Sequence, residues 1–243
     1  MEVWKVKDYQ EMSEKACKLI IDKLKELDQP VLGLATGSTP EGLYQQLIAK
    51  HKDEKVSFRH ATTFNLDEYV GLSQQDPNSY HYYMQEKLFK HIDIPADRAH
   101  VPNGRSDDLT ESCNAYESLI KSAGNIDIQV LGIGLNGHIG FNEPGTSFSS
   151  RTHIVTLDDS TRQANARFFD SLADVPTKAI TMGIGSIMES KQIILLISGE
   201  KKREAVAKLI NGEVSEDFPA SILQQHENVI VIADEEAFQG VEC

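Results

Sequence analysis

Residues 126–145 read IDIQVLGIGLNGHIGFNEPG. The first part, Ile126–Gly132, is a short apolar run closed by glycine. Such a run is a strand covered on both faces, as in a parallel sheet. Runs of the same kind recur at Pro30–Ala35 (PVLGLA), Arg59–Leu66 (RHATTFNL), Lys178–Met182 (KAITM), Gln192–Ser198 (QIILLIS) and Asn228–Ala233 (NVIVIA). Helical patterns fill the intervals. Asp8–Leu27 places Met12, Ala16, Leu19, Ile20, Leu24 and Leu27 on one stripe, the mark of a helix with one buried face. Glu41–Lys50, Ser79–His91, Leu109–Ser122, Ser160–Asp170 and Glu200–Leu209 are further helices. Strand and helix alternate, which predicts right-handed βαβ units. The expected fold is α/β and Rossmann-like: a doubly wound, mostly parallel sheet with helices on both faces. No composition break, linker or repeat divides the 243 residues, so a single domain is expected.

The second part of the opening stretch is less regular. Gly132–Gly137 matches G-x-G-x-x-G after a strand, but that motif must also open a helix. Here Gly140, Asn142, Pro144 and Gly145 follow, and these argue for a loop. A dinucleotide site is therefore not expected. The loop gathers Asn136, His138, Asn142 and Glu143 instead. A histidine between glycines can be approached closely, and imidazole titrates near neutrality, which suits proton transfer. A carboxylate at Glu143 would orient it. The ordinary alternative is a surface histidine. A zinc site is disfavoured because HExxH is absent and no thiol accompanies the pair.

Ligands of such sheets sit outside the carboxyl ends of the strands, and two more unusual loops lie there. Thr36–Pro40 sits in LATGSTPEGLY, residues 34–44. A strand ends, a hydroxyl-rich turn follows, and Pro40 opens a helix. The N–H groups of Gly37, Ser38 and Thr39 would then face an anion at the positive helix end. A plain Ser/Thr helix cap is the alternative. No Gly-Lys-Ser/Thr follows, so this is not a Walker A loop. Asn65–Val70, within FNLDEYV, carries two acids. Either Asp67 or Glu68 could be a base raised by burial against Phe64 and Leu66, or a cap or solvated turn.

Composition narrows the partners. Lys plus Arg is 24 and Asp plus Glu is 37, for a net charge of −13. A surface this acidic repels a phosphate backbone, so nucleic acid is not expected. A local basic cluster can still hold a small anion. No apolar run approaches membrane-spanning length, and the start, MEVWKVKDYQ, has no secretory h-region. Cys17, Cys113 and Cys243 are far apart and form no CxxC. Neither a zinc site nor a disulfide framework is expected, and a cytoplasmic location is.

TGSTPEGLY, FNLDEYVGL and GIGLNGHIGFNEPG, in that order, resemble the three signatures of the glucosamine-6-phosphate deaminase (isomerase) family. The resemblance covers essentially the whole chain, and GHIGFNEPG is its most specific part. It implies conversion of glucosamine 6-phosphate and water to fructose 6-phosphate and ammonia, within N-acetylglucosamine catabolism and with neither metal nor organic cofactor. It makes Asp67 the base that moves a proton between C2 and C1, and His138 the group that opens the sugar ring, tuned by Glu143 and Asn136. It assigns the phosphate to Gly37, Ser38 and Thr39 with Arg167 and Lys202. Related 6-phosphogluconolactonases share the fold but differ after the Gly-His pair and read Asp-Glu-Arg where this chain has Asp67-Glu68-Tyr69. A lactonase-like enzyme and a non-catalytic sugar-phosphate sensor are the competing readings.

Two departures qualify the resemblance. Most members carry Asp where this chain has Asn136, so Asn136 is expected to orient the imidazole and Glu143 to act electrostatically. Regulated members are longer at the C-terminus and use basic residues near the segment that here reads Arg151-Thr152-His153-Ile154-Val155. Hyperbolic kinetics are therefore expected, with a monomer or small homo-oligomer. Residues of about 147–174 are expected to form a lid over the amino-sugar phosphate.

Overall fold

The computed structural model describes residues 1–157, 162–163, 166, 169 and 171–241. The elements run β1 (Glu2–Val6), α1 (Tyr9–Glu26), β2 (Val31–Leu34), α2 (Glu41–Lys52), β3 (Thr62–Asn65), β4 (Asp67–Tyr69), α3 (Tyr80–Lys87), β5 (Ala99–His100), α4 (Leu109–Ser122) and β6 (Ile128–Gly132). They continue β7 (His153–Thr156), β8 (Lys178–Thr181), α5 (Ile184–Met188), β9 (Ile193–Ile197), α6 (Arg203–Asn211), β10 (Val229–Asp234) and α7 (Glu235–Phe238).

Seven strands form a parallel sheet in the order β1-β10-β9-β6-β2-β3-β5. From β2 the chain winds outward to β3 and β5, then returns to β6 on the other side and winds to β9, β10 and back against β1. The winding direction therefore reverses between β2 and β6, and the crevice at such a reversal is where α/β sheets bind ligands. Strand alternation builds two cores. Ile193, Leu195, Ile197, Val229 and Val231 pack on one face with Tyr116, Ile120, Val206 and Leu209. Ile194, Leu196, Ile230 and Ile232 pack on the other with Met12, Ile20, Leu43 and Leu47. Both faces being covered, the central strands are apolar without interruption.

α1 buries Met12, Ser13, Ala16, Cys17, Ile20 and Ile21, so its stripe is rotated from the expected one. Leu19 and Leu24 lie at its margin, partly buried. Asp8 caps it, accepting from the Glu11 N–H at 2.9 Å. α3 is shorter than its pattern suggested, because a separate 3₁₀ turn, Phe89–His91, follows it. The helix expected at Ser160–Asp170 falls mostly outside the described residues.

One strand is corrected. Lys178–Met182 reads as a parallel core strand, but β8 lies in a second, antiparallel sheet of order β4-β8-β7. A buried four-residue run has the same composition whichever way its neighbour points, so the sequence cannot distinguish the two. Its pairing with Asp67, Glu68 and Tyr69 also turns the expected aspartate loop into strand β4. β7 makes the early part of the expected lid a strand of this small sheet.

Candidate active site

The Thr36–Pro40 turn is held by its carbonyls. Tyr83 Oη donates to Gly37 O at 2.6 Å, and Tyr9 Oη donates to Ser38 O at 3.0 Å while accepting from the Gly42 N–H at 2.7 Å. Gly37 sits at φ +95°, a conformation that L side chains rarely adopt. No side chain caps the start of α2, so the Ser/Thr cap alternative is not realised. Among the described residues nothing accepts from the N–H groups of Gly37, Ser38 and Thr39, and Gly37 and Ser38 are exposed. Three N–H groups without acceptors at a helix N-terminus are a donor set suited to an anion.

The two neighbouring acids of β4 have opposite fates, because successive strand side chains point to opposite faces. Glu68 is fully used. Its Oε1 accepts from the N–H groups of Tyr69 (2.8 Å) and Tyr80 (2.9 Å), and its Oε2 from that of His81 (2.9 Å), which ties down the first turn of α3. Asp67 is only 6% exposed and receives no hydrogen bond from the described residues. Burial, followed by the charge of Glu68, pushes its carboxyl up to about 8. A carboxyl with that value can take and return a proton near neutral pH.

The segment after β6 is a loop, as its glycines and proline require. Gly134 N donates to His138 O at 2.8 Å and Gly137 N to Gly134 O at 3.1 Å. Gly137 and Gly140 adopt φ of +85° and +58°. The His138 imidazole lies directly over Gly134, where any side chain would collide with it. His138 Nδ1 is 3.4 Å from Glu143 Oε1, an ion-pair distance at which the ring makes no well-directed hydrogen bond. Asn136 bridges the group: its Nδ2 donates to Glu143 Oε2 at 2.6 Å, and its Oδ1 accepts from the His138 N–H at 3.3 Å. Asn142 is a buried staple, donating to Ile139 O and Met182 O at 2.9 Å each.

Gly140 joins this loop to the aspartate. A Cβ at that position would lie 3.0 Å from Thr181 Oγ1 and 3.5 Å from Asp67 Oδ2. Thr181 Oγ1 in turn accepts from the Phe141 N–H at 3.1 Å. The imidazole-bearing loop is therefore packed onto the carboxyl.

Lys202 ends the 3₁₀ turn after β9. It extends its Nζ to Ile133 O at 2.6 Å, at the carboxyl end of β6. Burial lowers its pKa, and among the described residues no carboxylate pairs with it. A half-buried ammonium without a counter-ion is suited to an anionic ligand. Arg167, expected beside it, lies outside the described residues. The sequence reading overlooked Thr181, since KAITM signals only a strand.

A cavity of about 580 Å³ opens at the opposite, amino-terminal end of the sheet, lined by His51, Arg59 and Asp93 among others. Asp93 is already occupied there, accepting from Ser57 Oγ and Phe58 N at 2.6 Å. Among the described residues, no group of three or more His, Cys, Asp or Glu is arranged for a metal, and no helix is long and apolar enough to cross a membrane.

The parallel α/β sheet brings a buried acid, an imidazole and a turn of N–H groups without acceptors to its reversal point, an arrangement suited to proton transfer on an anionic ligand. The chain belongs to the glucosamine-6-phosphate isomerase/6-phosphogluconolactonase family, whose profile matches residues 7–232. It is 61% identical to a glucosamine-6-phosphate deaminase of Oceanobacillus iheyensis over 241 residues, covering 99% of this chain and 96% of that one. It is 58% identical to glucosamine-6-phosphate deaminase 1 of Bacillus subtilis over 237 residues, covering 98% of each. A solved structure described as a monomeric glucosamine-6-phosphate deaminase superposes with a TM-score of 0.95 at 58% identity, covering 98% of each chain. A 6-phosphogluconolactonase from Thermotoga maritima superposes with a TM-score of 0.76 at 21% identity, over 96% of this chain and 99% of that one; that likeness is one of fold.

Proposed function

We propose that this chain is a deaminating aldose–ketose isomerase that converts glucosamine 6-phosphate and water to fructose 6-phosphate and ammonia. The observation that carries the reading is the packing of an unpaired, proton-ready Asp67 against the loop that holds His138. Near-full-length identity to deaminases supports the choice of reaction.

The chemistry needs these residue types. His138 takes the anomeric hydroxyl proton and delivers a proton to the ring oxygen, opening the ring to the amino aldehyde. Asn136 and Glu143 orient the imidazole, and Glu143 stabilises its protonated form. The carbonyl at C1 acidifies C2–H. Asp67 takes that proton and returns it to C1, while O1 gains a proton and the amino nitrogen loses one, which leaves a neutral imine at C2 beside a C1 hydroxyl. Water adds to C2, the C–N bond breaks and ammonia departs, leaving the ketone. Positioned proton transfer of this kind contributes about 10²–10⁴-fold. The N–H groups of Gly37, Ser38 and Thr39 hold the phosphate with Lys202 and Arg167. Binding at that remote group positions C1 and C2.

Purified protein incubated with glucosamine 6-phosphate is expected to release ammonia and fructose 6-phosphate in equal amounts. Fructose 6-phosphate without ammonia, or no turnover at all, removes the proposal. The solved relative described as monomeric supports a monomer for this chain too. Sedimentation at the 27.0 kDa chain mass tests that, and a dimer mass contradicts it.

A further inference from the structure

Lys202 is carried by a short 3₁₀ turn, Glu200–Lys202, and a segment near the C-terminus grips that turn at both ends. Strands β9 and β10 run in parallel with Ile197 beside Ala233. The residues that follow, Ser198 and Gly199 on one side and Asp234 on the other, therefore meet at the carboxyl edge of the sheet. Asp234 is only 3% exposed. Its Oδ2 accepts from Ser198 Oγ at 2.5 Å, and the Gly199 N–H is shared between Oδ1 and Oδ2 at 3.1 Å each. Oδ1 also accepts from the Ala237 N–H at 2.8 Å, which caps α7. Gly199 sits at φ +92°, and its carbonyl accepts from the Lys202 N–H at 3.0 Å. At the far end of the turn, Arg203 Nε donates to Glu236 O at 2.9 Å. Between these two holds the Lys202 ammonium reaches Ile133 O, in the segment that leads to His138. Among the described residues no cation pairs with Asp234, so its charge is met by N–H and hydroxyl donors alone. A buried carboxylate of that kind fixes the positions of its donors, because each one lost leaves charge uncompensated.

We propose that Asp234 is a positioning residue that holds the Lys202 turn where its ammonium meets the phosphate of the substrate. The inference rests on the deaminase reading and deepens it, since that reading gives Lys202 the phosphate. Lysine carries a point charge on a flexible stem, so its worth to an anion depends on where its backbone is fixed. A turn fixed before the ligand arrives loses less freedom on binding. No side chain of the turn caps it. The hold comes instead from Asp234, 36 residues beyond Ser198 in the chain. Asp234 acts at one remove: its oxygens bind Gly199, and Gly199 binds Lys202.

Asp234→Ala deletes the acceptors, whereas Asp234→Asn keeps the shape and one acceptor oxygen. Each is made in the wild type and in Lys202→Gln. The dissociation constant of inorganic phosphate is measured by calorimetry, and kcat and KM by ammonia release. Asp234→Ala is expected to weaken phosphate binding and raise KM by about tenfold each, with kcat within about threefold. Asp234→Asn is expected to raise both constants about threefold. In the Lys202→Gln background either substitution is expected to change phosphate affinity by less than about twofold, because the group it acts through is gone. Unchanged phosphate affinity in Asp234→Ala or in Lys202→Gln overturns the role. So does a loss of equal size in both backgrounds, which is what general loosening of the fold predicts. If Asp234→Ala fails to fold, Asp234→Asn in the two backgrounds decides alone. The deaminase reading fails separately, in the wild-type protein, if no ammonia is released from glucosamine 6-phosphate; phosphate binding is read without turnover, so the role of Asp234 is judged in either case.

Discussion

Two acids are buried to a similar degree in this protein and have opposite surroundings. Glu117, on α4, accepts from Arg151 Nε and Nη2 at 3.0 and 2.6 Å, from Thr152 N and Oγ1 at 2.9 and 2.5 Å, and from Ser186 Oγ at 2.5 Å. Burial pushes its carboxyl up, but these donors outweigh burial and hold it below the usual range. Asp67, on β4, has no such donors, and burial lifts its carboxyl to about 8. Burial alone does not set the charge of an acid; the balance of burial against the donors brought to it does, and at Glu68, with three backbone donors, burial still prevails. The first arrangement spends the carboxylate on joining α4, the start of β7 and α5. The second leaves a carboxyl free to exchange protons. Arg151 is held on its other side by Glu189 at 2.6 and 2.9 Å.

The largest contrast is in turnover. Asp67→Asn is expected to reduce kcat by about 10²–10⁴-fold with little change in KM, measured by ammonia release. Retention of more than a tenth of wild-type turnover would show that Asp67 is no base. Wild-type kcat/KM is expected to rise with pH through an acid limb near 8, where the free carboxyl ionises.

Glu117→Ala should act the other way. It leaves Thr152 and Ser186 without their acceptor and Arg151 with Glu189 alone, and is expected to cost about 2–3 kcal/mol of stability, read by chemical denaturation. Turnover per folded molecule should stay within about threefold. A large loss of kcat at unchanged stability would contradict the division drawn between the two acids.

A further contrast lies in the pH dependence of the stability of Asp67→Asn. The folded carboxyl is raised above its unfolded value of about 4, so the folded state binds the extra proton. That contribution is full below about pH 4 and is lost as pH climbs through the folded value near 8. The variant should therefore gain in thermal midpoint over the wild type at alkaline pH, by about 2–4 °C for each kcal/mol recovered, and gain little at pH 4. A midpoint difference independent of pH would mean that Asp67 is not raised.

Much of this was legible in the chain. Continuous apolar runs such as Gln192–Ser198 (QIILLIS) point to strands covered on both faces, and that pattern is local. The glycines around His138 and the Gly37–Pro40 turn announced loops because their backbone demands are local too. The direction of β8 was not legible, since a strand carries no mark of its partner's orientation.

The sequence by itself determined the alternation of elements, the loops that follow β2 and β6 and the residue types fit for proton transfer and anion binding. Which of Asp67 and Glu68 remained free was decided only in three dimensions. Both acids are consecutive and chemically alike, so nothing local separates them. β4 must pair with β8 before one side chain turns toward the backbone donors at the start of α3 and the other toward Gly140 and Thr181. Hydrogen bonding and desolvation depend on neighbours distant in the chain, and those neighbours exist only once the tertiary structure has formed.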